Sequence, residues 1–128
     1  MRLLLGIGVL VVLIVVLVSA VQRSERKESD ARFHSTVASY QATLKSGSTR
    51  KQIESYLAGQ NTSFTTAACE SSTPCDRVEL GEEPRNLFCQ PWKVSAEFQF
   101  NNAEPPTGTA KESDLLSAIE LHREGVCF

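Results

Sequence analysis

Cys69, Cys75, Cys89 and Cys127 have the most chemistry open to them of any residues in this chain, and their number and spacing narrow what that chemistry is. An even number of cysteines in a small domain on the oxidising side of a membrane points to two disulfides. Three pairings are possible. The preferred one joins Cys69 to Cys75, closing a short loop, and Cys89 to Cys127, tying the C-terminal residues to the middle of the domain. A bridge across the longer loop stabilises by about 2–4 kcal/mol, a large share of what so small a domain has. Structural zinc sites bring their ligands in close pairs such as C-x2-C. Here the gaps are 5, 13 and 37 residues, and His34 and His122 stand in no ligand spacing, so no metal is expected. Thiol redox catalysis relies on a C-x-x-C at a helix N-terminus, which the sequence lacks.

Other reactive side chains are scattered. No serine sits in a G-x-S-x-G frame, and the two histidines fall on the first amphipathic helix and near the end of the last strand, both read as surface residues. Glu82 and Glu83 precede Pro84 and read as a solvated turn. Asn61-Thr62-Ser63 matches a glycosylation sequon, which matters only in a eukaryotic host. Trp92, Phe88 and Tyr56 could form an aromatic contact patch, although core or hairpin packing is the simpler reading. No catalytic, metal or nucleotide motif is present, so neither an enzymatic activity nor a cofactor is expected.

The elements that position these residues begin with the apolar run over residues 3–21. It holds no charge and reaches about nineteen residues, close to the roughly twenty that carry a helix across a bilayer. A continuous helix satisfies every backbone group in lipid, even when it is rich in valine and isoleucine. Arg2 precedes the run, while Arg23, Arg26, Lys27 and Arg32 follow it among acidic residues, so the flanking positive charge pulls against the orientation that such a segment usually takes. The expected arrangement is still a signal-like insertion that places the rest of the chain outside the cytoplasm. Val18-Ser19-Ala20 offers a cleavage site that would release a secreted chain starting at Val21, but the run is longer than an ordinary signal core, which favours a retained anchor.

Three segments follow: residues 1–22 as signal anchor or signal peptide, 23–32 as a polar stalk or the first turns of a helix leaving the membrane, and 33–128 as one extracytoplasmic α+β domain. The chain has 13 basic and 15 acidic residues, and setting Arg2 aside with the anchor leaves 12 against 15. That balance argues against a nucleic acid partner, which demands a basic face.

Within the domain, Phe33, Val37, Tyr40 and Leu44 form one stripe of an amphipathic helix, which Ser46-Gly47-Ser48 ends. Thr49 and Gln52 make the T-x-x-Q of a capping box, and Ile53, Tyr56 and Leu57 give the second helix its buried face, with Gly59 as the stop. From there the period shifts towards two. Residues 64–69 and 77–81 are strand candidates, the second bounded by the turn-rich residues 71–74 and by Glu82-Glu83-Pro84; in residues 93–100 Val94, Ala96, Phe98 and Phe100 lie on one face and Lys93, Ser95, Glu97 and Gln99 on the wet one. A polar loop over 101–108 leads to a last strand over 115–122, with Ser117, Ile119 and Leu121 on one side, making a hairpin. The fold class is therefore α+β: an N-terminal transmembrane helix, then two helices packed on an antiparallel sheet of three to four strands.

The run Gly47-Ser48-Thr49-Arg50-Lys51-Gln52-Ile53-Glu54-Ser55-Tyr56-Leu57 resembles the G-x-[ST]-x-x-x-[VI]-x-x-x-L signature of small bacterial envelope proteins of the SmpA/OmlA (BamE-like) group. The resemblance implies two helices followed by an antiparallel sheet, and a role in envelope assembly or protein contact. It covers eleven residues, and the chain departs from the pattern in having Leu57-Ala58-Gly59 and no lipid-bearing cysteine. The function expected is that of a non-enzymatic, membrane-anchored envelope protein whose domain binds or scaffolds another protein. Two alternatives are a pilin-like subunit, whose layout the chain resembles without a Gly-Phe-x-x-x-Glu at the head of its apolar run, and a secreted, cleaved binding protein or inhibitor.

Overall fold

Between Gly8 and Gly47 the sequence has neither glycine nor proline, and the backbone runs through this whole stretch almost without a break. In the computed structural model, which describes residues 2–69, 74–83, 89–101 and 108–127, helix α1 extends over Arg2–Thr43. The polar residues 22–32 are thus turns of the same helix that carries the apolar run and the amphipathic stripe. Side chains from Ile7 to Val21 have no protein cover, and the large hydrophobic ones are 51–63 % exposed. Phe33 and Val37 are the first to be buried.

A tight turn reverses the chain at Gly47, whose φ of 86° suits glycine. Helix α2 (Arg50–Gly59) then starts on the capping box, with the Thr49 hydroxyl accepting from Gln52 N and the Gln52 side chain accepting from Thr49 N at 2.9 Å. The helix ends at Gly59, as the sequence suggests. The left-handed residue is Asn61, with φ 53°, and Gln60 N–H closes the last turn on the carbonyls of Tyr56 and Leu57.

Four antiparallel strands follow in the order β1-β2-β3-β4: β1 (Thr65–Ala67), β2 (Cys75–Glu83), β3 (Trp92–Asn101) and β4 (Leu115–Glu124). The helices cover one face, with Ile53 and Leu57 of α2 and Val37 of α1 meeting Val78, Phe98 and Ile119 of the sheet. Tyr40 meets Phe98 edge to face at 5.4 Å, a geometry that the ring quadrupoles favour.

The sheet departs from strict alternation at two bulges, and both correct the sequence reading. Between Gln99 and Phe100 the register slips, so that Phe98 faces Ile119 while Phe100 faces Leu116. Leu116 takes the core position and Ser117 turns to solvent, its hydroxyl donating to Gln99 O at 3.0 Å. Between Glu79 and Gly81 a second slip carries β2 on through Glu82 and Glu83, which are strand residues and not a turn. Gly81 has φ 142°, and a Cβ there would stand 3.4 Å from the Phe33 ring. We expect Gly81→Ala to lower the stability of the protein in detergent solution by about 1–3 kcal/mol, measured by urea unfolding, because the strained backbone and the crowded ring act together.

The turn expected at 71–73, Pro84, Phe88 and residues 102–107 of the expected loop lie outside the described residues.

Candidate functional site

Two arrangements of polar side chains stand out, one buried beneath α2 and one spread over the face of the sheet that no helix covers. The buried one grows from Arg50, the first residue of α2. Its backbone N–H donates to Asp114 O at 2.8 Å, and Leu116 N and Gly47 N make reciprocal bonds with Ser48 O and Leu116 O, so the start of α2 is stitched to the start of β4. That stitching drives the Arg50 side chain inward, over the Phe100 ring at 4.0 Å. There Nη1 donates to Asp76 Oδ1 at 2.6 Å, Nη2 donates to Pro74 O, and Nε lies 3.5 Å from Asp114 Oδ2. Arg50, Asp76 and Asp114 are each no more than 2 % exposed.

One cation therefore faces two carboxylates in the interior. Asp114 Oδ2 is held by Lys111 N at 2.9 Å and Asp76 Oδ1 by the Thr66 hydroxyl at 3.0 Å, while Asp76 Oδ2 has no hydrogen-bond partner among the described residues. Burial pushes the Asp76 carboxyl above its ordinary value near 3.8; Arg50 and the Thr66 hydroxyl oppose this, and the charge of Asp114 adds to it. Between the ordinary value and the raised one, the folded protein holds a proton that the unfolded chain has lost. Stability therefore falls as pH rises through that window and levels off above it. Urea unfolding at a series of pH values should show this slope in the native protein and its loss in Asp76→Asn.

The uncovered face presents Arg77 and Glu79 of β2, Ser95, Glu97 and Gln99 of β3, and Glu120, His122 and Glu124 of β4. Glu97 lies at its centre and is only 6 % exposed, although alternation alone assigns it to the wet side. Its neighbours shield it: Arg77 Nε donates to Oε2 at 3.1 Å, Gln99 Nε2 donates to Oε1 at 3.1 Å, and His122 Nδ1 stands 3.7 Å away. Gln99 also reaches Glu120 at 3.3 Å, and Arg77 reaches Glu124 at 3.9 Å. Beside this network opens a cleft of about 270 Å³ lined by Phe64, Thr65, Arg77, Lys93, Ser95 and Glu124 among others. It sets an apolar ring between charges of both signs, a surface suited to recognition by shape and hydrogen bonding.

Ser95 and His122 are cross-strand partners on this face, yet among the described residues no hydrogen bond joins them.

The cysteines are brought together as Cys69 with Cys75 and Cys89 with Cys127. The first pair borders the uncovered face, where Arg77 Nη2 is 3.9 Å from Cys69 Sγ and the Glu97 carboxylate is within 4.8 Å of both sulfurs. Bonded to each other, these sulfurs are not thiolates. Of the remaining residues singled out by sequence, His34 is exposed on α1, 3.6 Å from Asp30. Glu83 accepts from Arg123 Nε at 2.7 Å, so it belongs to an ion pair and not to a solvated turn; Glu82 is exposed. Asn61 is exposed just after α2. Tyr56 packs against the main core, whereas Trp92 packs on Gly125 at one end of the sheet, so the two do not share a patch.

Sequence reasoning missed Arg50, Asp76, Asp114 and the Glu97 network. The one available signal was parity: counting back by twos from Val78 in β2 puts Asp76 on the core face, where a carboxylate needs a partner. The chain matches no protein-family model, and neither a curated protein nor a solved structure matches it.

Proposed function

We propose that this chain is a membrane-anchored, non-enzymatic envelope protein whose extracytoplasmic domain binds another protein through the uncovered face of its sheet. The observation that carries this reading is α1 itself. Its apolar turns have no protein cover, and the same unbroken helix enters the domain core at Phe33. A bare apolar cylinder of this length is costly in water and matched to a bilayer. The paired cysteines support an oxidising compartment for the domain. The order of helices and then antiparallel strands accords with the resemblance to the SmpA/OmlA (BamE-like) group, from which we take a role in protein contact.

A photoactivatable phenylalanine analogue at Gln99 or Lys93 tests the binding face, with Lys45 in the turn before α2 as the control. Irradiated native membranes should give an adduct of one and the same mass from both sheet positions and none from Lys45. Adducts that are the same from all three positions, or absent from the sheet positions, count against the reading.

A pilin-like subunit is the second reading. The continuity of α1 over Arg2–Thr43 favours it, because such a subunit uses one helix both to pack with its neighbours and to support its sheet. It predicts that the protein is recovered from membranes as an ordered multimer crosslinked through α1.

A further inference from the structure

Two contacts fix how the domain stands relative to the apolar turns of α1. Near the end of α1, Gln41 Nε2 donates to Ile119 O at 2.7 Å; lower down, Asp30 pairs with Arg123. Eleven residues of helix separate Asp30 from Gln41, about 16 Å at the helical rise. Four residues of strand separate Ile119 from Arg123, about 14 Å at the extended rise. The two lengths agree, so α1 and β4 lie side by side and run in opposite directions: α1 climbs away from its apolar turns and β4 returns towards them.

The consequence concerns the end of the sheet beyond Arg123. There Glu124 pairs with Lys93 at the start of β3, Gln90 N–H donates to Val126 O at 3.0 Å, and the Cys89–Cys127 disulfide closes the two segments together. Val126 is 57 % exposed, although it lies in a described and hydrogen-bonded segment. Trp92 is half-buried against Gly125, whose missing side chain makes room for the indole: a Cβ there would be 2.7 Å from the ring. An exposed aliphatic side chain and a partly exposed tryptophan at the same end of a sheet have the composition of a membrane-interface contact.

Its height fits as well. From Asp30 down to Val21, the last apolar residue, is about 13 Å of helix, and from Arg123 to Val126 is about 10 Å of extended chain in the same direction. The difference of a few ångströms is less than the thickness of one headgroup layer, about 5–7 Å.

We propose that this disulfide-closed end rests in the headgroup layer of the bilayer that α1 enters, with Trp92 and Val126 as its contacts, so that helix and domain are held at two points and do not tilt together in the membrane. The proposal rests on the reading of α1 as a membrane anchor and adds a second contact to it. The lipid surface is the occupant because this end of the sheet reaches the level at which the bare apolar turns of α1 begin, so a bilayer that takes up those turns meets it.

Trp92 is the sole tryptophan of the chain, so its emission reports this contact directly. The test uses the full-length protein in phosphatidylcholine vesicles, with and without bromine on the acyl chains close to the headgroups, together with a control that carries Trp92→Phe and Glu112→Trp. Glu112 is exposed and bonded to Lys51 at the opposite end of the domain. The expected result is co-flotation of both proteins with the vesicles, loss of Trp92 emission on bromination, and unchanged emission in the control. Co-flotation with no loss at Trp92, or with equal loss in both proteins, overturns the second contact and leaves the anchor standing. Protein that stays at the bottom of the gradient overturns both.

Discussion

Replacing Arg50 by methionine should cost the folded protein about 3–5 kcal/mol, because it leaves two buried carboxylates facing one another without a cation. The side chain it removes lies between Asp76 and Asp114, over Phe100, and holds the Pro74 carbonyl where β2 begins. Methionine fills a similar volume along the aliphatic stem but offers no donor. The loss should be read by urea unfolding in detergent solution, where a change below about 1 kcal/mol, the worth of a surface pair, would mean that the cluster is not buried as described. Arg50→Lys should fall between the two proteins, since one ammonium group cannot bridge Asp76, Asp114 and Pro74 as a planar guanidinium does. Adding Asp76→Asn to Arg50→Met should recover part of the loss, because one of the two stranded charges is gone.

The second large effect is at the disulfides, and the two should differ. Cys89 and Cys127 close a loop of 38 residues, Cys69 and Cys75 one of 6. Chain-entropy reasoning gives about 4 kcal/mol for the first and about 2 kcal/mol for the second. We expect the Cys89→Ser, Cys127→Ser double variant to unfold at much lower denaturant than the Cys69→Ser, Cys75→Ser one, measured without reductant. Equal losses would mean that stabilisation is set by local packing and not by the loop closed. The order matters for the molecule, since the longer bridge also holds together the end of the sheet proposed above to meet the bilayer.

Local signals in the sequence were reliable where the cause was local. The Thr49–Gln52 capping box, the turn at Gly47 and the alternation of Val94, Ala96, Phe98 and Phe100 each depend on residues within one or two turns or along one strand, and the structure has all of them. The α+β order of helices first and strands afterwards was legible for the same reason. What was not legible depended on partners far away in the chain. Leu116 displaces Ser117 from the core because of a bulge that only the pairing of β3 with β4 reveals. Glu97 sits on the face expected to be wet, and is shielded there by Arg77 from β2 and His122 from β4. Arg50 looks like an ordinary solvated residue in the first turn of a helix until residues 76 and 114 are brought beside it. That residues 23–32 are turns of a helix leaving the apolar run was one of two readings left open by their charge, and the absence of glycine and proline around them could have decided for it against a separate stalk. The level of Trp92 and Val126 relative to the apolar turns follows from topology alone, and no window of sequence contains it.

The central claim is that α1 holds an oxidised domain at a membrane through turns that no protein covers. The most direct test is alkaline carbonate extraction of membranes that contain the native chain, followed by alkylation without reduction and intact mass measurement. The account predicts full-length protein in the carbonate-resistant pellet, with no alkyl group added at Cys69, Cys75, Cys89 or Cys127. Protein released by carbonate, a soluble species beginning at Val21, or four alkylated thiols would contradict it.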